Sequence, residues 1–184
     1  AWEKGDIAEA EKLMIQSISS LDKMNEIQDL YSPLSAIRIF YNVTRQQDKK
    51  LNFYREKLDY YKQNGPKENI GSCYHGLGNY YMLSGDYEKS IEYYIRAGEN
   101  WKSWGNETCY MIVQFVVADK YQEWGNVKHA RQLITLPERL PLSKVAIKDY
   151  AFYEKVRCQI AVTEKQYDEA LRIRLGLNWL RSSL

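Results

Sequence analysis

The sequence predicts an all-α protein: an α-solenoid of antiparallel helix pairs, four and a half pairs long. Three observations carry that expectation. First, sliding the chain by 40 residues aligns it without gaps. Leu13, Phe53, Tyr93, Leu133 and Ile173 then form an apolar column, and Tyr41, Tyr81 and Tyr121 form another. Ala10, Ser90, Ala130 and Ala170 make a column of small residues, with Lys50 as its exception. Second, Gly5, Gly85 and Gly125 share one place, taken by Arg45 and Lys165 in the other two copies. Glycine there suits a tight turn between helices. Third, Tyr74, Leu77, Gly78 and Tyr81 fall at i, i+3, i+4 and i+7, which is one apolar stripe along a helix.

The elements follow in order. Residues 1–30 are the end of one helix, a hinge at Gly5-Asp6 and a second helix, so the chain opens inside a pair. Either a preceding part of a longer protein is expected there, or an open end. The pair at 31–70 starts near Pro33, where a missing N–H costs little, turns near Gln46-Gln47-Asp48 and ends at the break Asn64-Gly65-Pro66. The pair at 71–105 turns at Ser84-Gly85-Asp86, and Gly105-Asn106 closes it. The pair at 106–142 turns at Gly125-Asn126 and is broken by Pro137 and Pro141. The last, 143–184, is capped by Ser143 and turns at Glu164-Lys165-Gln166. Its end, LGLNWLRSSL, is too apolar for a polar terminal cap, so further chain or a subunit contact, such as a homodimer, is expected. Trp101, Trp104 and Trp124 lie near helix ends, where they are expected to seal the joint between the third and fourth pairs.

The segment Tyr74–Ala97 resembles the tetratricopeptide repeat (TPR) pattern, with Tyr74 in the tryptophan place, Leu77-Gly78 and Tyr81 following it, and Ser90, Tyr94 and Ala97 on the second helix. Lys102 stands where the closing proline of that pattern falls. The resemblance implies a right-handed superhelix. A period of 40 exceeds the usual 34, so the pairs are expected to be about one turn longer. Such long repeats are similar to the helical-repeat domains of bacterial regulators that sense signalling peptides, and to the repeat arms of large LuxR-type activators. The resemblance implies a sensor or effector arm of a transcriptional or signalling protein; it does not reach a helix-turn-helix or a nucleotide-binding motif.

Composition narrows the function classes. A net charge of +2, with basic residues spread along the helices, leaves no nucleic-acid footprint. No apolar run approaches the roughly 18 residues of a membrane span. Three scattered cysteines, Cys73, Cys109 and Cys158, fit a reducing compartment, so a cytoplasmic location is expected. His75 and His129 lie far apart with no second ligand at i+3 or i+4, and Cys73 and His75 point apart on one helix. Gly76-Leu77-Gly78 lacks the strand and the third glycine of a phosphate loop. No catalytic set, metal or cofactor is expected.

What is left is a groove. In a stacked helix-pair solenoid the first helices line the concave face. Off the packing stripe, the third pair places His75, Asn79 and Met82 there. The equivalent places hold Ser35, Ile39 and Asn42 in the second pair; Phe115, Asp119 and Gln122 in the fourth; and Lys155, Gln159 and Val162 in the fifth. Amides carry both a donor and an acceptor, so they suit the backbone of an extended peptide. A non-enzymatic peptide- or protein-binding groove is therefore expected, with a repeat scaffold for self-association or assembly as the alternative. Asn79, off the stripe, is expected to be replaceable by Ala at little cost to folding.

Overall fold

The computed structural model describes residues 6–29, 32–134 and 147–182. Every regular element among them is helical: α1 (Ile7–Lys23), α2 (Pro33–Val43), α3 (Gln47–Gln63), a single 3₁₀ turn (Lys67–Asn69), α4 (Ile70–Leu83), α5 (Tyr87–Ser103), α6 (Glu107–Glu123), α7 (Val127–Leu133), α8 (Ile147–Thr163) and α9 (Tyr167–Ser182). The chain is all-α, as its periodicity predicts. The expected hinge glycine Gly5, the breaks at Pro137 and Pro141 and the cap Ser143 lie outside the described residues.

The 40-residue period is written into the backbone. Arg45, Gly85, Gly125 and Lys165 all adopt a left-handed conformation, with φ of 58°, 80°, 78° and 61°. At each of these turns the next amide reaches back to the carbonyl five residues earlier: Gln46 to Tyr41 (2.9 Å), Asp86 to Tyr81 (3.0 Å), Asn126 to Tyr121 (2.8 Å) and Gln166 to Ala161 (2.8 Å). These bonds satisfy carbonyls that the ending helix leaves without a partner, and they require the left-handed residue between. The turn in the second pair therefore sits at Thr44-Arg45-Gln46, two residues before its expected place. The residue after the turn caps the next helix where it is acidic or an amide of the right length. Asp6 accepts from the Glu9 amide (3.0 Å), Asp86 from Lys89 (3.2 Å) and Asn126 from His129 (3.3 Å). Gln46, one methylene longer, makes no such bond.

The chain divides into two compact units, Ala1–Gly105 and Asn106–Leu184. The N-terminal unit holds α1–α5. Its core joins Ile18 of α1, Leu34, Ile37, Phe40 and Tyr41 of α2, Tyr54, Leu58 and Tyr61 of α3, and Leu77 of α4. Leu13 departs from its column: it is 51% exposed, since no helix precedes α1 among the described residues. Trp101 is buried within this unit beside His75, whereas Trp104 and Trp124 stand exposed.

The link between α1 and α2 is fastened by side chains. Gln28, almost wholly buried, donates through Nε2 to Asp22 Oδ1 (2.9 Å), and its Oε1 accepts the Leu34 amide (3.2 Å). Its own amide donates to Asn69 Oδ1 (2.6 Å), and Ser72 Oγ donates to its carbonyl. Asp22 also accepts from Tyr61 Oη and Lys57 Nζ. A buried polar knot of this kind is tolerable because each group in it finds a partner.

The C-terminal unit holds α6–α9. Met111, Phe115 and Ala118 of α6, Ala130 of α7 and Tyr153, Val156 and Ile160 of α8 form its core. Arg131 of α7 pairs with Glu164, at the end of α8.

Candidate functional site

At the small-residue column the two helices of a pair touch through a side chain and a backbone carbonyl. Ser90 Oγ donates to the Gly78 carbonyl (2.8 Å), and Cys158 Sγ lies 3.6 Å from the Ala170 carbonyl. Gly78 faces Ser90, Cys158 faces Ala170, and Ala118 and Ala130 occupy the same two places in α6 and α7. In α2 and α3 those places hold Arg38 and Lys50. Two cations thus stand where every other pair has small side chains.

Lys50 is fully buried, and its ammonium is held by amides rather than by a carboxylate. Nζ donates to Asn42 Oδ1 (2.6 Å) and Asn79 Oδ1 (3.2 Å), and lies 5.8 Å from the centre of the Tyr80 ring. Asn42 Nδ2 donates to the same Asn79 oxygen (3.0 Å), tying α2 to α4. Burial, with the charge of Arg38 as a second cause, lowers the Lys50 pKa to about 8. Burial also pushes the His75 imidazole well below its usual range, again with Arg38 as the second cause. The Tyr94 phenol is raised by burial, against Arg38 and a hydrogen bond from Asn79. Three buried polar atoms around this place have no hydrogen-bond partner: Ser35 Oγ, Arg38 Nε and His75 Nδ1.

Of the expected groove residues, the structure brings Asn42 and Asn79 together, both half-buried, with Met82 half-buried one turn further along α4. His75 does not line a surface: its ring is buried between Tyr94 (5.4 Å between centroids) and Trp101 (5.8 Å). In the C-terminal unit Phe115 is a core residue, packed on Tyr153 at 4.8 Å. Asp119 is nearly buried, which raises its carboxyl pKa, and its Oδ1 lies 3.9 Å from Lys155 Nζ, too far for a hydrogen bond. Gln122 and Gln159 are half-buried, with Gln159 Oε1 unpartnered, and Lys155 is exposed over the Phe152 ring. Ser35 is buried, whereas Ile39 and Val162 are exposed.

Arg38 and Lys50 were absent from the expected groove. Lys50 did leave a signal, as the exception in the small-residue column. A separate cleft of about 420 Å³ lies between α8 and α9, lined by Tyr150, Glu154, Arg157, Arg172, Ile173 and Leu177. Its Arg157 is already paired with Glu154 (3.1 Å) and Glu169 (3.2 Å). Among the described residues no group of three His, Cys, Asp or Glu side chains is placed to hold a metal, and no helix is long and apolar enough to cross a membrane. No protein-family model, curated protein or solved structure matches this chain.

Proposed function

We propose that this chain is a non-enzymatic binding module, a TPR-like right-handed α-solenoid segment that holds a peptide or protein segment on the first helices of its pairs. The reading makes it the sensor or effector arm of a bacterial regulatory protein working in the cytoplasm. One observation carries it: Asn42 and Asn79, from successive first helices, meet at a half-buried position. Side-chain amides aligned across neighbouring helices suit a ligand backbone, which repeats donors and acceptors regardless of sequence.

The test is selection of random dodecapeptides on the wild-type chain, followed by calorimetric titration of an enriched peptide into variants. Asn79→Ala is expected to weaken binding about ten- to a hundredfold, since a desolvated peptide group loses its partner. Glu88→Ala, on the exposed start of α5, is expected to change nothing. No enriched peptide, or the reverse pattern of losses, defeats the reading.

A second reading, self-association as a scaffold, is favoured by α9. Tyr167, Leu171 and Leu175 recur every four residues on that helix and are 64%, 58% and 58% exposed. Such a stripe is the common form of a helix-to-helix interface. Sedimentation of wild type and Leu171→Lys decides it: a dimer lost in the variant supports the scaffold, and a monomer in both removes it.

A further inference from the structure

The crossing of α2 and α3 is built against the pattern of the other pairs, and the departure has a direction. Where Gly78 meets Ser90 and Cys158 meets Ala170, a single neutral side-chain-to-carbonyl bond joins the helices. At the equivalent places of α2 and α3 stand two cationic residues, Arg38 and Lys50. No Asp or Glu makes an ion pair with either of them among the described residues, although ten other ion pairs are formed elsewhere. Nor does any acidic group raise the pKa of Lys50, His75 or Tyr94, the titratable side chains around it; the one charge felt at all three is Arg38.

The donors are also incompletely used. An ammonium has three N–H groups, and Lys50 spends two, on Asn42 and Asn79. Arg38 is half-buried, its Nε is enclosed without a partner, and its guanidinium makes no hydrogen bond among the described residues. Ser35 Oγ, one turn before Arg38 on α2, is a further buried donor without an acceptor. Buried donors left unsatisfied are costly, and two unneutralised cations at a helix crossing more so. A group that accepts several hydrogen bonds and carries negative charge removes both costs at once.

We infer that Arg38 and Lys50 form an oxyanion site, which takes one carboxylate or phosphate group beside Asn42 and Asn79, where α2, α3 and α4 meet. Arg38 offers the planar fork that matches two oxygens, and Lys50 offers a point charge. Asn42 and Asn79 hold the ammonium in place and stand half-exposed beside it. The inference rests on the proposed peptide-binding reading only for the natural occupant, an acidic group borne by the peptide.

Inorganic phosphate is the probe. Melting temperature is measured in 50 mM phosphate and in sodium chloride of equal ionic strength, for wild type, Lys50→Met, Arg38→Met and the exposed control Lys12→Met. For a Kd near 1 mM, wild type and Lys12→Met are expected to gain roughly 5 °C from phosphate. Lys50→Met and Arg38→Met are expected to gain nothing. Equal gains in all four, or none in wild type, overturn the site. Should either methionine variant fail to fold, the side-chain amide NMR signals of Asn42 and Asn79 in wild type decide. Saturable shifts on phosphate addition support the site, and unmoved signals overturn it. Peptides enriched on the wild type are then compared as free acids, as C-terminal amides and with Asp or Glu replaced by the amide. Loss on amidation assigns the terminal carboxylate, and loss on side-chain replacement assigns an acidic residue. A phosphate site with no peptide binder defeats the peptide reading alone. Peptides that bind Lys50→Met and Arg38→Met as well as wild type defeat the oxyanion site alone.

Discussion

Gly76 lies flat against the ring of Tyr54: a Cβ built on that glycine falls 2.5 Å from three of the ring atoms. Tyr54 has nowhere to go. It is fully buried, and its hydroxyl donates to the Leu34 carbonyl at 2.6 Å. Gly76→Ala is therefore expected to destabilise by about 1–3 kcal/mol through overpacking. Gly78→Ala should cost less, because its Cβ meets the Tyr94 ring at 3.0–3.1 Å, a distance a small shift relieves. Urea denaturation of the two variants checks the order, and a lower midpoint for Gly78→Ala contradicts it.

Gln28 offers a second test. Gln28→Leu keeps the bulk but strips Asp22 Oδ1 of one donor and the Leu34 amide of its acceptor. A buried donor and a buried charge each lose a partner, so a loss of roughly 2–4 kcal/mol is expected. Lys23→Ala, exposed at the end of α1, serves as the comparison. Similar midpoints for both would show that the knot contributes little.

Asn79→Ala is expected to destabilise at neutral pH by about 1–3 kcal/mol, because Lys50 and Asn42 both lose the oxygen they share. Helix propensity alone argues the opposite, since Ala is the better helix former. Thermal denaturation separates the two. A melting temperature equal to or above wild type would mean the shared oxygen carries no weight.

Lys50 gives a pH signature. Its ammonium is lowered from 10.5 to about 8, so between those values the unfolded chain binds more proton than the folded one. Stability contributed by this group therefore rises with pH across that window, and the cost of burying the charge is fully present below it. The opposing trend comes from Cys73, raised well above 9.0 by burial, and from the buried phenols of Tyr41, Tyr54 and Tyr61, raised above 10.0. These lose their share as pH climbs through the unfolded values. The difference between wild type and Lys50→Met isolates the lysine. Wild type is expected to gain on the variant by on the order of 1–3 kcal/mol between pH 7 and pH 10. A difference that is flat or shrinks over that range contradicts the placing of Lys50.

The turns were legible in the sequence because a fixed period repeats the same local demand. Gly85 and Gly125 announce a left-handed residue, and the register then places Arg45 and Lys165 in the same conformation although neither is a glycine. The groove was less legible. A residue more than a quarter-turn off the packing stripe reads as solvent-facing on an isolated helix. Inside a stack, however, a helix is covered on two sides, and this buries Phe115 of α6 against Tyr153 of α8; His75 of α4 is covered by α5 of its own pair, against Tyr94 and Trp101. Asp22, Gln28 and Asn69 carry no periodic signal at all, because the bonds that join Gln28 to Asn69 and Tyr61 to Asp22 span 41 and 39 residues of chain. Arg38 and Lys50 were hidden differently. One odd residue in a column reads as tolerated variation until its partner across the helix crossing turns out to be odd as well.

The four left-handed turns also make the chain divisible. Because each one leaves its helix with the same reach-back bond and the same handedness, any two are interchangeable as joints. Excising 46–85 would join Arg45 directly to Asp86, a left-handed residue followed by a capping one, as at every intact glycine turn. Loss or gain of a whole 40-residue cassette thus asks the backbone for no new geometry. A deletion whose ends do not fall at two of these turns would put a residue of another conformation at the seam.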